Sequence, residues 1–168
     1  SEAFYLPIQN LTLIGHVEGN EAKIDTLTGK VGGSDLFVTG RVSDLPAIIH
    51  HTNDSVWVDL QIQSKLLDLA ELSYDDSTQV PAVDEKIKDL QLDMSFSSSA
   101  LAFTESPNLP IGEFFIRELN AQLQYYPHKI HDFRADIFIE DEDIRVADFS
   151  GELDSSDFHF AGRLEDYD

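Results

Sequence analysis

Apolar and polar residues alternate one by one along most of this chain, and a period of two leaves β-sheet as the main architecture. In Val56-Trp57-Val58-Asp59-Leu60-Gln61-Ile62 the even positions are aliphatic and, past Trp57, the odd ones are polar. Leu90, Leu92, Met94 and Phe96 interleave in the same way with Gln91, Asp93 and Ser95, as do Leu119, Ala121, Leu123 and Tyr125 with Glu118, Asn120, Gln122 and Gln124. Further strands are expected over Leu11 to Val17, Leu36 to Val42, Phe133 to Ile139 and Phe158 to Leu164. Such alternation buries one face and wets the other, which suits an antiparallel sheet better than the continuous apolar runs of a parallel one. The expected fold is therefore mainly β, with antiparallel repeated hairpins forming a curved sheet or a sandwich-like unit, and one or two short helices. Ser64 is placed to cap a helix over Lys65 to Leu72, where Leu66, Leu69 and Leu72 recur at helical spacing, and Pro46 to His51 is a second, shorter candidate.

A repeat lies beneath the alternation. Residues 24–45 (IDTLTGKVGGSDLFVTGRVSDL) align without a gap on residues 146–167 (VADFSGELDSSDFHFAGRLEDY). Identical pairs are Gly29/Gly151, Ser34/Ser156, Asp35/Asp157, Gly40/Gly162, Arg41/Arg163 and Asp44/Asp166. Apolar positions also coincide: Ile24/Val146, Leu27/Phe149, Val31/Leu153, Leu36/Phe158, Val38/Phe160 and Val42/Leu164. The unit reads as a hairpin around a four-residue turn, GGSD in one copy and DSSD in the other. Glycine inside a strand weakens it unless it marks a bulge or a close backbone approach, so its recurrence points to a shared constraint. The chain is expected to form a single β-rich unit with two repeat-related halves, about 1–80 and 81–168. The stretches Ser73 to Glu85 and Ser106 to Gly112, rich in turn formers, are irregular connections.

The pattern (apolar)-x-x-(apolar)-[ST]-G-x-(apolar)-x-x-S-D-(apolar)-x-(apolar)-x-G-R-(apolar), followed in the first copy by VWVDLQIQSKLLDLAEL, resembles the AsmA-like family of bacterial envelope proteins, related broadly to TamB. The likeness covers roughly residues 10–75 and 115–167, and Leu67, Asp68 and Leu69 resemble an element at which a strand of that family ends. What the resemblance implies is the periplasmic portion of a larger protein anchored in the inner membrane by an N-terminal helix. Such proteins are implicated in outer-membrane assembly or lipid transfer. No segment of this sequence is long and apolar enough to be that helix.

Charge and chemistry narrow the function further. Against 32 acidic residues stand 11 Lys plus Arg, a formal charge of -21, which excludes binding to nucleic-acid phosphates and docking on an anionic membrane surface. Without cysteine there are no disulfides, thiolate metal sites or thiol nucleophiles. No nucleophile elbow, phosphate-binding glycine loop or HExxH frame occurs, so nothing supports an enzyme or a cofactor. His50 with His51, and His128 with His131, are read as solvated loop and turn residues rather than metal ligands, and His16 and His159 as outward-facing. The run Glu140 to Asp143 lacks the ligand spacing of a calcium loop and reads as a charged hairpin tip. Residues 140–168 carry a net charge of -9, a surface that meets a basic partner or repels neighbours.

The leading expectation is a non-catalytic segment of an AsmA-like envelope protein. Its partners are a phospholipid or other acyl-chain lipid, shielded on an apolar sheet face formed by Val56, Val58, Leu60, Ile62, Leu90, Leu92, Met94 and Phe96, together with other envelope proteins. The alternative is a structural spacer or protein-interaction module with a closed β core and an acidic partner-binding surface.

Overall fold

In the computed structural model, which describes residues 8–75, 80–81, 83–105, 111–125, 128–139 and 143–165, nine strands form one antiparallel meander. The order along the chain is β1 (Ile8–Glu18), β2 (Glu21–Val31), β3 (Ser34–Val42), α1 (Leu45–His50), β4 (Ser55–Asp68), α2 (Leu69–Leu72), β5 (Tyr74–Asp75), β6 (Val80–Pro81), β7 (Lys86–Ser99), α3 (Ala100–Glu105), β8 (Gly112–Leu123), β9 (Lys129–Ile139), β10 (Asp143–Leu153) and β11 (Ser156–Glu165). The main sheet runs β1-β2-β3-β4-β7-β8-β9-β10-β11, while β5 and β6 pair separately in the β4–β7 connection. The two outer strands, β1 and β11, do not pair with each other, so the sheet is open rather than a barrel.

The repeat extends further than sequence identity reveals. Ladder partners in β2–β3, such as Val31↔Ser34, Leu27↔Val38, Ile24↔Gly40 and Ala22↔Val42, recur in β10–β11 as Leu153↔Ser156, Phe149↔Phe160, Val146↔Gly162 and Ile144↔Leu164. β1 and β9 match as well: Ile8↔Val31 and Val17↔Ala22 become Ile130↔Leu153 and Ile139↔Ile144. Each turn has two residues, Gly32-Gly33 and Asp154-Ser155, with positive φ at the first (59° and 54°). Ser34, Asp35, Ser156 and Asp157, expected in the turns, therefore sit in the ladders, because two residues suffice to reverse the chain once one of them takes left-handed geometry.

Two bulges give the hairpins a common signature, and they appear three times. Asn10, Asp89 and Asp132 all have φ near 50° (53°, 51° and 52°), a region that Asn and Asp tolerate better than other side chains. Opposite each bulge lies a small residue, Gly29, Ala121 or Gly151. A Cβ on Gly29 would meet the Leu11 side chain at 3.3 Å, and one on Gly151 would meet Phe133 Cα at 3.0 Å. The second bulge inserts Asp25 between Ile24 and Thr26, Arg117 between Ile116 and Glu118, and Ala147 between Val146 and Asp148. An extra residue reverses the inside–outside parity, so the apolar spacing there stretches from two to three: Ile24 to Leu27, Ile116 to Leu119, Val146 to Phe149. β7–β8 is thus a third copy of the β1–β2 hairpin.

Helices occupy the sheet ends. Asp44 caps α1, its carboxylate accepting from Ala47 N–H at 3.1 Å, and Pro46 lies in the first turn as expected. Ala47 of α1 and Ala100 of α3 bury against Val56, which is fully buried, with Val42 and Ile48 beside them. The helix expected from Lys65 is corrected: β4 continues to Asp68, and α2 is one turn capped by Asp68, not Ser64. The helical spacing of the leucines loses to two-sided strand pairing, which runs along β7 as far as Asp68↔Lys86. Asp166, and residues 106–110 of the second irregular stretch, lie outside the described residues, as do 140–142 of the acidic run.

Candidate functional site

Register places all eight residues of the expected apolar set on one face. Val58↔Phe96, Leu60↔Met94 and Ile62↔Leu92 are direct cross-strand partners, Leu90 faces Ser64, and Val56 faces Ser98. The set is the centre of something wider. Toward β1 it continues through Val42, Gly40 and Val38 of β3, then Ala22, Ile24 and Leu27 of β2, to Val17, Gly15 and Leu13. Toward β11 it runs through Phe114, Ile116 and Leu119 of β8 and Ile137, Ala135 and Phe133 of β9 to Val146, Phe149, Phe158 and Phe160. Nine strands about 4.8 Å apart make this floor about 38 Å wide.

Its covering is partial. Val56, Leu90 and Phe96 are buried, whereas Val58, Leu60, Ile62, Leu92 and Met94 are only half-buried. On the outer strands exposure is frank: Leu11 64%, Leu13 66% and Val17 60% in β1, and Phe160 57% in β11. The accessible surface of 10840 Å² exceeds the about 8,300 Å² expected of a compact monomer of this mass, so much of the sheet faces solvent. Rings cluster on the floor near β11: Phe133 meets Phe149 edge-on at 4.7 Å, and Phe149 lies 5.9 Å from Phe158. Phe96 stacks on Phe114 at 4.1 Å nearer the centre.

The reverse face is polar but carries an aromatic row that the alternation does not single out. Trp57 stacks on Phe115 at 6.1 Å, Phe115 meets Phe138 edge-on at 5.9 Å, and the Arg145 guanidinium sits 4.1 Å over the Phe138 ring. Each ring comes from a different strand, so only the register brings them together. Beside the row, Asp59 accepts from Ser95 Oγ at 2.5 Å, Arg41 Nε at 2.8 Å and Arg117 at 3.2 Å. Burial alone would raise the Asp59 carboxyl, and these donors outweigh it and hold the group below the usual carboxylate range.

The repeated polar residues secure β4 against β3. Ser34 Oγ accepts the Asp68 N–H at 2.9 Å. Regular pairing ends at Phe37↔Gln63, and beyond it Asp35 accepts the N–H groups of Leu66 (2.8 Å) and Lys65 (3.0 Å) together with the Ser64 hydroxyl (3.3 Å). Gly40 admits the Asp59 carbonyl, which would lie 2.5 Å from any added Cβ, and Arg41 pairs with the Asp59 carboxylate. Losing the Asp35 acceptor strands two backbone donors and a hydroxyl. Asp35→Ala should destabilise by about 2 kcal/mol, against about 0.5 kcal/mol or less for exposed Asp157→Ala, as chemical denaturation would read.

The histidines sit among carboxylates. His16 pairs with Asp25 at 2.8 Å, His159 with Asp148 at 3.1 Å, and His128 with Asp154. His131, Asp132 and Glu152 bring three possible ligand atoms together, but the ring is already engaged on both sides. Its Nε2 donates to the Asp154 carbonyl at 2.7 Å while Nδ1 faces Asp132 at 3.2 Å and Glu152 at 3.6 Å. That carbonyl first, then the carboxylates, raises the imidazole's pKa, and a protonated ring offers a cation no lone pair. Among the described residues no helix is long and apolar enough to cross a membrane. No protein-family model, curated protein or solved structure matches this chain.

Proposed function

We propose that this chain is a non-catalytic, lipid-holding segment of an AsmA-like envelope protein, its open sheet shielding acyl chains on the apolar floor. The observation that carries this reading is the continuity of that floor across all nine strands of a sheet that does not close. Contiguous exposed apolar surface on this scale is unusual for a monomer and marks a binding surface. Acyl chains fit it because each methylene taken from water contributes about 0.8 kcal/mol without any directional partner. The net charge of -21 keeps the molecule off anionic bilayers while leaving transfer of single lipids to the apolar floor open.

Leu13 and Ile14 provide an internal control, being adjacent, similarly exposed (66% and 55%) and on opposite faces. Leu13→Glu should weaken displacement of a fluorescent fatty acid about tenfold, the effect of about 1.4 kcal/mol, while Ile14→Glu leaves it unchanged. Lipid extraction and mass spectrometry should find acyl lipid on the purified protein. Solution scattering should give a radius of gyration above the about 15 Å of a compact chain of this length. Absence of bound lipid, or equal responses of the two variants, would favour the spacer or protein-interaction reading.

A further inference from the structure

The residues identical between the two sequence copies are not spread over the hairpin. Four of the six pairs involve Ser34, Asp35, Gly40 and Arg41, the residues of β3 that hold or admit β4. Their counterparts Ser156, Asp157, Gly162 and Arg163 stand in identical register on β11. Yet β11 is an outer strand, with no neighbour in the place that β4 occupies beside β3.

Within the described residues the second set has no comparable task. The side chains of Ser156 and Asp157 are exposed and make no hydrogen bond. Gly162 has no backbone pressing on it, since an added Cβ would meet only the ring of Phe160 in its own strand, at 2.7 Å. Arg163 reaches back to Asp143 of β10, whereas Arg41 reaches outward to Asp59 of β4. A glycine in an outer strand that nothing crowds, beside an aspartate that accepts nothing, is an edge prepared for another strand rather than blunted against one.

We propose that the outer edge of β11 is a strand-binding site that takes an extended antiparallel segment with the chemistry of β4, supplied by a partner polypeptide. The register defines the occupant. Its carbonyl enters beside Gly162, and a carboxylate in the position of Asp59 meets Arg163. Free backbone N–H groups and a hydroxyl in the positions of Ser64 to Leu66 meet Asp157. Alternate apolar side chains extend the floor beyond Phe158 and Phe160. Charge complementarity thus runs along the edge in the same order as in the β3–β4 pair: anion for N–H groups at one end, cation for a carboxylate at the other.

The probe is a fluorescently labelled synthetic peptide of residues 55–68, titrated with the whole protein and followed by anisotropy. Saturable one-to-one binding is expected, with at least a tenfold loss in Gly162→Val and in Asp157→Ala and no binding of a scrambled peptide. Both substitutions lie on an exposed strand, and thermal unfolding checks that each variant remains folded. Should Gly162→Val fail to fold, Asp157→Ala alone decides. Absence of saturable binding overturns the proposal, as does binding that both variants retain. Self-association of the protein that Gly162→Val abolishes would also overturn it, because a second copy would then be the occupant.

Discussion

Gly40→Val should lower stability by about 4 kcal/mol or more, a large share of the 5–15 kcal/mol that holds a typical domain folded. The cause is local and steric. A Cβ at this position would lie 2.5 Å from the Asp59 carbonyl oxygen and 2.8 Å from a Leu60 methyl, and the carbonyl belongs to the paired backbone of β4. Relief requires β3 and β4 to part, which breaks the ladder at the sheet's centre and releases Asp35 from the Lys65 and Leu66 amides. Gly162 occupies the same place in the repeat but faces only a ring that can rotate, so Gly162→Val should cost at most about 1 kcal/mol. Urea midpoints of the two variants measure the contrast directly. Equal losses would show that the glycines are required by the hairpin itself and not by the neighbouring strand.

That contrast also separates what the sequence discloses from what it hides. Alternation is a local signal, and it located the strands and the apolar set from Val56 to Phe96 because β4 pairs with β7 without a bulge over that span. Bulges break the signal. In β8 the parity changes at Arg117, so Phe114 and Ile116 share a face with Leu119 although simple alternation separates them. A trace was present in Ile8-Gln9-Asn10-Leu11, Ile87-Lys88-Asp89-Leu90 and Ile130-His131-Asp132-Phe133. Each pairs an apolar spacing of three with an Asn or Asp able to take positive φ. Identity with the other copies is too low in β7–β8 for alignment to find it, since Ala121 stands where Gly29 and Gly151 stand. The misplaced helix at Lys65 has a different origin: Leu66, Leu69 and Leu72 satisfy a helical period, but the carboxylate of Asp35 holding that segment extended comes from 31 residues earlier in the chain. The aromatic row of Trp57, Phe115 and Phe138 was illegible for the same reason, being a product of register across strands.

Acid should unfold this protein through a few carboxylates rather than through its large net charge alone, and Asp68 is the most consequential. It is 4% exposed, accepts from Lys86 Nζ at 2.5 Å and caps α2 through the Glu71 N–H at 3.2 Å. The Lys86 hydrogen bond is the main cause that holds its carboxyl below the ordinary value, with burial opposing. Asp35 and Asp59 are also held low: burial would raise both, but the donors around each outweigh it. A carboxyl whose pKa is lower folded than unfolded contributes stability that is fully present above the unfolded value, about 4, and is lost as pH falls through the folded one. Wild-type stability should therefore decline from about pH 5 downward, because the unfolded chain takes up protons first. Asp68→Ala removes the cap and the ion-pair partner together and should cost about 3 kcal/mol at neutral pH. The lower part of the range for a broken buried pair applies because Lys86, 31% exposed, regains water. Asp68→Asn keeps the capping oxygen and should cost less, yet it should flatten the acid limb as much as the alanine variant does. Denaturation midpoints of the three proteins between pH 7 and about pH 3 test this. An acid limb as steep in Asp68→Asn as in the wild type would show that the Asp68–Lys86 pair contributes nothing to acid sensitivity, leaving Asp35 and Asp59 as its source.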